Sequence, residues 1–395
     1  MHILFATTVL PHLQTTGGEI ASQAFIDAMR AAGHKVQIFG FARRAMPVPD
    51  GSICTKIRAI ETADAGFAKY CWLGRSLLTG RPYVCEKFRA RRYLDQLRLA
   101  ARPQKADVLV LDHAQMGWLL PEARHLARSV ILIAHNREAM LYAAEAARET
   151  RPLQRMMLGR DSRLLAMLES RLAKAVDQIW TLSEAEQAAF GAMGKPARTS
   201  LLPLAGRTIA PRRDSAPPSV DIGLLGTWIW DVNGRGLDWF TQEVVPLLPL
   251  DVTIRVGGRG SERVNGLRAN LIGVGFVADP VDFMRQAHVL AVPTIVGAGI
   301  QLKTIEAIAS GTPTVGTRLA VRGIGELPGY VAVADTPAAF ADALLQMKAP
   351  PPGNDVAQSW ITGRRQSFER EVAAQLNGLA FSPSAEPIFH VDSEP

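Results

Sequence analysis

Lys303 and Glu306 stand three residues apart in a stretch that reads as a glycine-rich loop, a helix and a strand. At that spacing two side chains share one helix face, one turn apart. Leu302, Ile305 and Ala309 recur at helical spacing, Gly311 can take the positive φ that ends a helix, and Pro313 prevents continuation. Before the helix, Val289 to Pro293 reads as a buried strand, and Gly297 and Gly299 let a ligand approach the backbone. The helix start would present the amides of Gly299, Ile300 and Gln301 and the positive end of the helix dipole, which together attract phosphate. A cation in the first turn and a carboxylate one turn deeper suit phosphate and sugar hydroxyls, the two chemistries a nucleoside diphosphate presents. The plainer alternative is a surface ion pair, which contributes little; the glycine loop and flanking strands favour the binding reading.

The elements that must position this helix begin at the amino terminus. His2 to Thr7 reads as a strand, Pro11 to Gly18 as a loop, Glu19 to Ala32 as a helix ended by Gly33, and Val36 to Phe39 as a second strand, the opening unit of a doubly wound α/β domain. Gly17 and Gly18 lie just before that helix, where a backbone can meet an anion, although two adjacent glycines also suit a simple turn. Two more strands, Ala106 to Leu111 and Ser129 to Ala134, end at Asp112-His113 and His135-Asn136. Ligands of parallel sheets lie beyond the carboxyl ends of the strands, so both polar pairs fall where chemistry is expected. The alternative for His135 is a histidine that bonds a loop carbonyl. Glu138 to Lys174 reads as helical and broken near Pro152, and Ser183 to Glu186 is a capping box after the strand Gln178 to Leu182.

Residues 206–218, rich in Pro, Arg and Ser without periodicity, read as a linker. The same grammar then restarts. Asp221 to Gly226 is a strand, 227–236 a loop carrying Trp228, Trp230, Asp231, Asn233 and Arg235, and Val252 to Val256 a strand running into the turn Gly257-Gly258. The expected organisation is a first domain over 1–205, the linker, a second domain over 219–352, a terminal helix over 353–380, and an irregular acidic tail over 381–395.

The composition, 48% hydrophobic and 21% charged, excludes unstructured and fibrous classes. A net charge of +7 fits an acidic partner without choosing one. Cys54, Cys71 and Cys85 have neither even count nor ligand spacing, which favours a reducing cytoplasm over a disulfide framework. No signal peptide or membrane-spanning run is read. Between Cys71 and Tyr93 basic and aromatic residues alternate, as suits a peripheral contact with anionic lipid headgroups or, equally, a solvated amphipathic helix. The basic residues are otherwise spread, and nucleic acid is not an expected partner.

Gly297-x-Gly299-x-x-x-Lys303-x-x-Glu306-Ala307-x-Ala309-x-Gly311-x-Pro313 resembles the donor-binding signature of glycosyltransferases of the GT-B fold, two Rossmann-like domains facing across a cleft, and most of all the retaining GT4 group with a glycine-lysine loop. A further glutamate common in that group, eight positions before Glu306, is here Ala298. The resemblance implies transfer of a sugar from a nucleotide-diphosphate sugar to an acceptor hydroxyl with retained anomeric configuration, in bacterial surface polysaccharide or glycolipid synthesis. It implies a donor diphosphate held by Gly17, Gly18, Lys303 and the 299–301 amides, with the ribose on Glu306. Arg235, Gly257 and Gly258 are implied as donor neighbours. His135 would position sugar and acceptor, completing a catalytic set with Lys303 and Glu306. Asp112, His113 and Asn136 fall on the side of the acceptor, a saccharide or lipid-linked one. The terminal helix would cross back to the first domain. No cofactor is expected, and neither is a metal: there is no Asp-x-Asp and no His or Cys cluster at ligand spacing. Two alternatives stay open, a nucleotide-sugar epimerase or phosphorylase of similar architecture and a non-catalytic nucleotide-sugar binding protein.

Overall fold

The computed structural model describes residues 1–14, 16–43, 47–60, 63–193, 199–207, 218–297, 299–347 and 354–380. Ala298, most of the linker and the 381–395 tail lie outside the described residues. The first half contains strands β1 (His2–Val9), β2 (Lys35–Ala42), β3 (Ser52–Ile57), β4 (Ala106–Asp112), β5 (Ala127–Ala134), β6 (Gln178–Thr181) and β7 (Thr199–Leu201). Its helices are α1 (Gly17–Ala31), α2 (Ala68–Thr79), α3 (Tyr83–Phe88), α4 (Arg91–Ala100), α5 (Leu120–Leu126), α6 (Glu138–Arg148), α7 (Pro152–Ala175) and α8 (Glu184–Met193). The second half contains β8 (Val220–Leu225), β9 (Ile254–Gly257), β10 (Leu271–Gly275), β11 (Ala287–Val292), β12 (Thr314–Gly316) and β13 (Val331–Val333). Its helices are α9 (Asp231–Trp239), α10 (Pro280–Arg285), α11 (Leu302–Ala309), α12 (Pro337–Gln346) and α13 (Asn354–Ala380).

Each half forms one parallel sheet, in the orders β3-β2-β1-β4-β5-β6-β7 and β10-β9-β8-β11-β12-β13. A parallel sheet is covered on both faces, which is why its central strands are unbroken apolar runs. Val130 to Ala134 of β5 are all fully buried. On one face Leu4, Phe39, Leu109 and Leu132 pack with Tyr93 and Leu165; on the other Ile3, Phe5, Val110 and Ile133 pack with Phe25 of α1 and Phe368, Val372 and Leu376 of α13. The second sheet packs Ile222, Leu224 and Val256 against Leu237 and Phe340, while Ile305 and Ile308 of α11 pack with Ala357 and Ile361 at the start of α13. The terminal helix therefore starts beneath α11 and ends on the first domain, its Phe368 edge-on to Phe25 at 5.0 Å.

Three local expectations are corrected. Gly17 and Gly18 are inside α1, because Thr16 caps it by accepting from the Glu19 amide at 3.3 Å, so the helix starts before the Glu19 that apolar periodicity indicates. Much of 227–236 is helical: α9 starts at Asp231, and Gly236 within it is required, since a Cβ there would lie 2.0 Å from the Pro293 carbonyl oxygen. The Cys71 to Tyr93 stretch is not one surface: it spans most of α2, α3 and the start of α4, and Trp72, Lys87, Phe88 and Tyr93 within it are buried.

Strand order reverses between β1 and β4 in the first sheet and between β8 and β11 in the second. These reversals open crevices at the carboxyl ends of the strands, and here the two face each other. A Cβ on Gly17 would stand 3.4 Å from Leu302 Cδ1, and one on Gly299 would stand 3.2 Å from Asn136 Oδ1. Ile300 and Leu302, just ahead of and at the start of α11, pack on the cores of both halves.

Candidate active site

On the first domain the centre of the site is Asp112, fully buried at the end of β4. Thr7 Oγ1 and Ser22 Oγ each donate to its Oδ2 at 2.6 Å, and His135 Nε2 lies 2.7 Å from Oδ1. A carboxylate so placed accepts a hydrogen bond from Nε2–H, which leaves Nδ1 as the ring nitrogen turned to other partners. Burial raises the carboxyl's affinity for protons, yet the neighbouring histidines and the hydrogen bonds bring its pKa down to about 2. Burial and the proximity of His135 push His113 down to about 3. At neutral pH His113 is uncharged, so the hydrogen bonds are what hold Asp112 as an anion.

The His113 ring stacks on that of His135 with centroids 3.8 Å apart. Its backbone is at φ 76 and ψ 147, a conformation L residues rarely adopt, and its amide donates to the Ile133 carbonyl at 3.0 Å. Gly18 lies against this ring: a Cβ there would be 3.5 Å from His113 Cε1. Asp112, His113 and His135 thus bring three metal-type ligand atoms within 4.8 Å of one another, correcting the expectation of no such cluster, because 23 residues separate Asp112 from His135 in sequence. The donor set does not suit a cation: both Asp112 oxygens already accept protons from hydroxyls or imidazole. What the cluster suits is fixing an imidazole in one tautomer and orientation.

Across the cleft, Lys303 and Glu306 line one recess beneath α11 together with Gly223, Leu225, Met284 and Val292. Lys303 Nζ donates to Asn233 Oδ1 of α9 at 2.9 Å and sits 5.9 Å from the Trp228 ring centroid. Trp228 is itself fixed by Nε1 donating to the Gly257 carbonyl at 2.8 Å. Burial without a facing carboxylate pulls the Lys303 pKa down to about 8. Glu306 faces Arg207, its Oε1 2.9 Å from Arg207 Nε. Burial raises the Glu306 pKa, and Arg207 opposes the rise.

Gly299, at φ +71, turns the loop so that its carbonyl accepts from Arg322 Nη2 at 2.7 Å while its α-carbon faces Asn136 and Glu186. Gln301 is the N-cap residue of α11, its carbonyl accepting from the Thr304 amide at 3.0 Å. Gly257 and Gly258 have a packing reason of their own: a Cβ on Gly258 would fall 1.8 Å from the Gly226 carbonyl oxygen, so the ends of β8 and β9 meet only because it is glycine. Arg235 is exposed on α9, and among the described residues no contact joins it to Lys303; Asn233 reaches the lysine instead.

Sequence reasoning singles out neither Asn233 nor Arg207 for a role. It also passes over Glu138, three residues beyond His135, whose pKa burial drives up to about 7. Arg207 gives no periodic signal, since it starts a linker, and Glu138 reads as an ordinary helix-opening acid.

Two doubly wound domains meeting at their strand-order reversals, with a terminal helix returning to the first, define the GT-B architecture. Residues 16–205 match the model of the glycosyl transferase 4-like domain and residues 219–349 that of glycosyl transferases group 1. With more than half of its length so matched, the chain belongs to the GT-B glycosyltransferases. No curated protein matches it by sequence. Among solved structures it is similar to the sucrose-phosphate synthase (tll1590) from Thermosynechococcus elongatus, at 17% identity over 96% of this chain and 98% of that one, TM-score 0.64. It is also similar to Anabaena Alr3699/HepE in complex with UDP and glucose, at 14% identity over 96% and 100%, TM-score 0.58. At such identities the likeness is one of fold.

Proposed function

We propose that the protein transfers a sugar from a nucleoside diphosphate sugar to an acceptor hydroxyl, in the cleft between the two crevices. The observation that carries this reading is Lys303: a buried ammonium at a helix start, with only the neutral Asn233 as hydrogen-bond partner among the described residues. A cation kept so poorly compensated is poised for an anion that the described residues do not supply. Breaking a glycosidic bond to phosphate builds charge on the departing diphosphate, and fixed positive groups stabilise that transition state more than the ground state. In this reading the amides of 299–301 and the first turn of α1 at Gly17 and Gly18 share the diphosphate with Lys303. Glu306 accepts from ribose hydroxyls. His135, oriented by Asp112, faces sugar and acceptor, with Asn136 and His113 on the acceptor side. A UDP-linked hexose is the first donor to test, as Anabaena Alr3699/HepE is described with UDP and glucose. Retention of configuration and turnover without metal follow the GT4 resemblance and belong to the same proposal.

The acceptor class is proposed to be a lipid-linked or surface saccharide, used at the cytoplasmic face of a membrane. No described helix is long and apolar enough to cross one. The support is α2 and its approach, which expose Phe67, Tyr70, Leu77 and Leu78 beside Lys69 and Arg75, apolar tips with basic flanks as an anionic interface requires.

Incubating the protein with a panel of nucleoside diphosphate sugars, with and without saccharide acceptors and with a chelator present, tests the reading. Release of nucleoside diphosphate that depends on acceptor supports it. Isomerised donor or sugar phosphate without acceptor would establish an epimerase or phosphorylase instead, and tight nucleotide binding without turnover a binding protein.

A further inference from the structure

Arg207 is the first linker residue after Gly206, and it reaches both domains. Its Nε lies 2.9 Å from Glu306 Oε1, and its Nη2 donates to the Gln14 carbonyl at 3.1 Å. Gln14 sits at φ 49 in the turn leading to Gly17, on the opposite side of the cleft from Glu306. Gly206, at φ +76, presses so closely on α11 that a Cβ there would meet Ile305 Cγ2 at 2.9 Å. The guanidinium is therefore delivered to Glu306 by a backbone route that admits little slack. Nε and Oε1 are both buried and, though at ion-pair distance, are not aligned as a hydrogen bond; neither has another partner among the described residues.

We propose that Arg207 is a positioning residue for the donor, holding the Glu306 carboxylate from the linker and tying it to the first domain through Gln14, so that recognition of donor hydroxyls at Glu306 depends on the two domains being together. This rests on the reading of Glu306 as the acceptor of ribose hydroxyls. The walls of the recess from β8, α10 and β11 are Gly223, Leu225, Met284, Leu290, Ala291 and Val292, none of which ionises. Lys303 is the other charged group lining it, and Arg364 of α13, the helix packed against α11, is committed to the carbonyls of Leu204 and Ile324. Arg207 is then the counter-charge that opposes the upward shift burial imposes on Glu306.

The test is nucleoside diphosphate binding by isothermal titration from pH 6 to 9, on the full chain and on Arg207→Met, Arg207→Lys and Glu306→Gln. In the native protein affinity falls as Lys303 discharges near pH 8. Without Arg207 the Glu306 pKa moves further up, so toward the acid end of the range Glu306 is protonated more than in the native protein and accepts less from hydroxyls. Arg207→Met is expected to bind more weakly than the native protein, by about tenfold to a hundredfold at the acid end of the range, the cost of hydrogen bonds to a charged group, with the deficit narrowing as pH rises. Arg207→Lys restores most of the affinity. A uniform loss at every pH, or native binding by Arg207→Met, overturns the inference while leaving the donor site in place. Native binding by Glu306→Gln overturns the ribose reading itself. Melting temperatures of the variants separate these outcomes from unfolding.

Discussion

Replacing Lys303 with methionine should move activity and stability in opposite directions. Burial lowers the lysine from 10.5 to about 8, so holding its charge at neutral pH costs the fold about 3 kcal/mol. Methionine keeps much of the stem without that cost, and the melting temperature should stay level or rise. Turnover should fall. A unit charge about 4 Å from a phosphoryl oxygen, at an effective dielectric near 20, is worth about 4 kcal/mol, and loss of a group stabilising developing charge costs roughly 10²–10³ in kcat. The pH dependence has a definite sign. In the native protein the ammonium discharges as pH rises through about 8, so kcat/KM should decline there. Stability should increase over the same window, because between about 8 and 10.5 the unfolded chain binds a proton that the folded chain does not. The assay is release of nucleoside diphosphate against pH, beside thermal melts in the same buffers. An unchanged kcat/KM in Lys303→Met, or a native profile flat through pH 8 to 9, would refute the assignment of the diphosphate to this residue.

Other perturbations follow from the same geometry. Asp112→Asn takes the anion from three donors, those of Thr7, Ser22 and His135, and should cost roughly 3 kcal/mol in denaturant titration together with most of the activity. Its deficit should shrink as pH falls from about 4 toward 2, since the stability Asp112 contributes is present above the unfolded carboxyl pKa and is lost as pH falls through about 2; a deficit constant with pH would contradict this. Gly299→Ala adds a Cβ 3.2 Å from Asn136 Oδ1 at a φ of +71; it should destabilise by about 1 kcal/mol and lower kcat/KM more than tenfold, measured by melts and steady-state kinetics. Phe67→Ser with Leu78→Ser should reduce co-flotation with anionic vesicles but leave transfer to a soluble acceptor unchanged; equal flotation would remove the membrane reading.

What the sequence discloses here is whatever is local. Lys303 and Glu306 are legible because their spacing, their glycines and the helix stop lie within about twenty residues and obey one period. Asp112 and His135 are legible singly, as polar ends of apolar strands, but their hydrogen bond is not, since it depends on β4 and β5 being neighbours in register, with Asp112 beside Ile133. Arg207 is illegible for a related reason: its partner is 99 residues on, and a linker has no periodicity to say where a side chain points. The helix α9 hides because Gly234 and Gly236 depress its propensity; Gly236 is needed for close approach to the Pro293 carbonyl oxygen, and Gly234 lies tight against that of Trp228. The edge strand β3 buries only Thr55 fully, so its alternation is too faint to read.

The contacts that hold the cleft shut are slighter than those by which α13 joins the domains. At the cleft the first domain meets the second through Ile300 and Leu302, partly buried against its core, through Asn136 near Gly299, and through the ion pair of Arg148 with Asp231 at 3.1 Å, an exposed pair of the sort that contributes at most about 1 kcal/mol. Behind it, α13 buries Phe368, Val372 and Leu376 in the first domain and Ala357 and Ile361 beneath α11, apolar anchors worth roughly 2 kcal/mol apiece for the larger ones. Between the two groups of anchors lies Gly363, where a Cβ would touch nothing within 4 Å. The larger apolar anchors are those of α13, so parting the domains at the cleft would cost less than detaching α13. Arg207 crosses the cleft, joining Glu306 to Gln14. A charge pair that bridges the two domains would sense their separation, whereas Lys303 and Asn233, 2.9 Å apart, both belong to the second domain. Phosphate affinity should then persist in an opened form, with hydroxyl recognition added on closure.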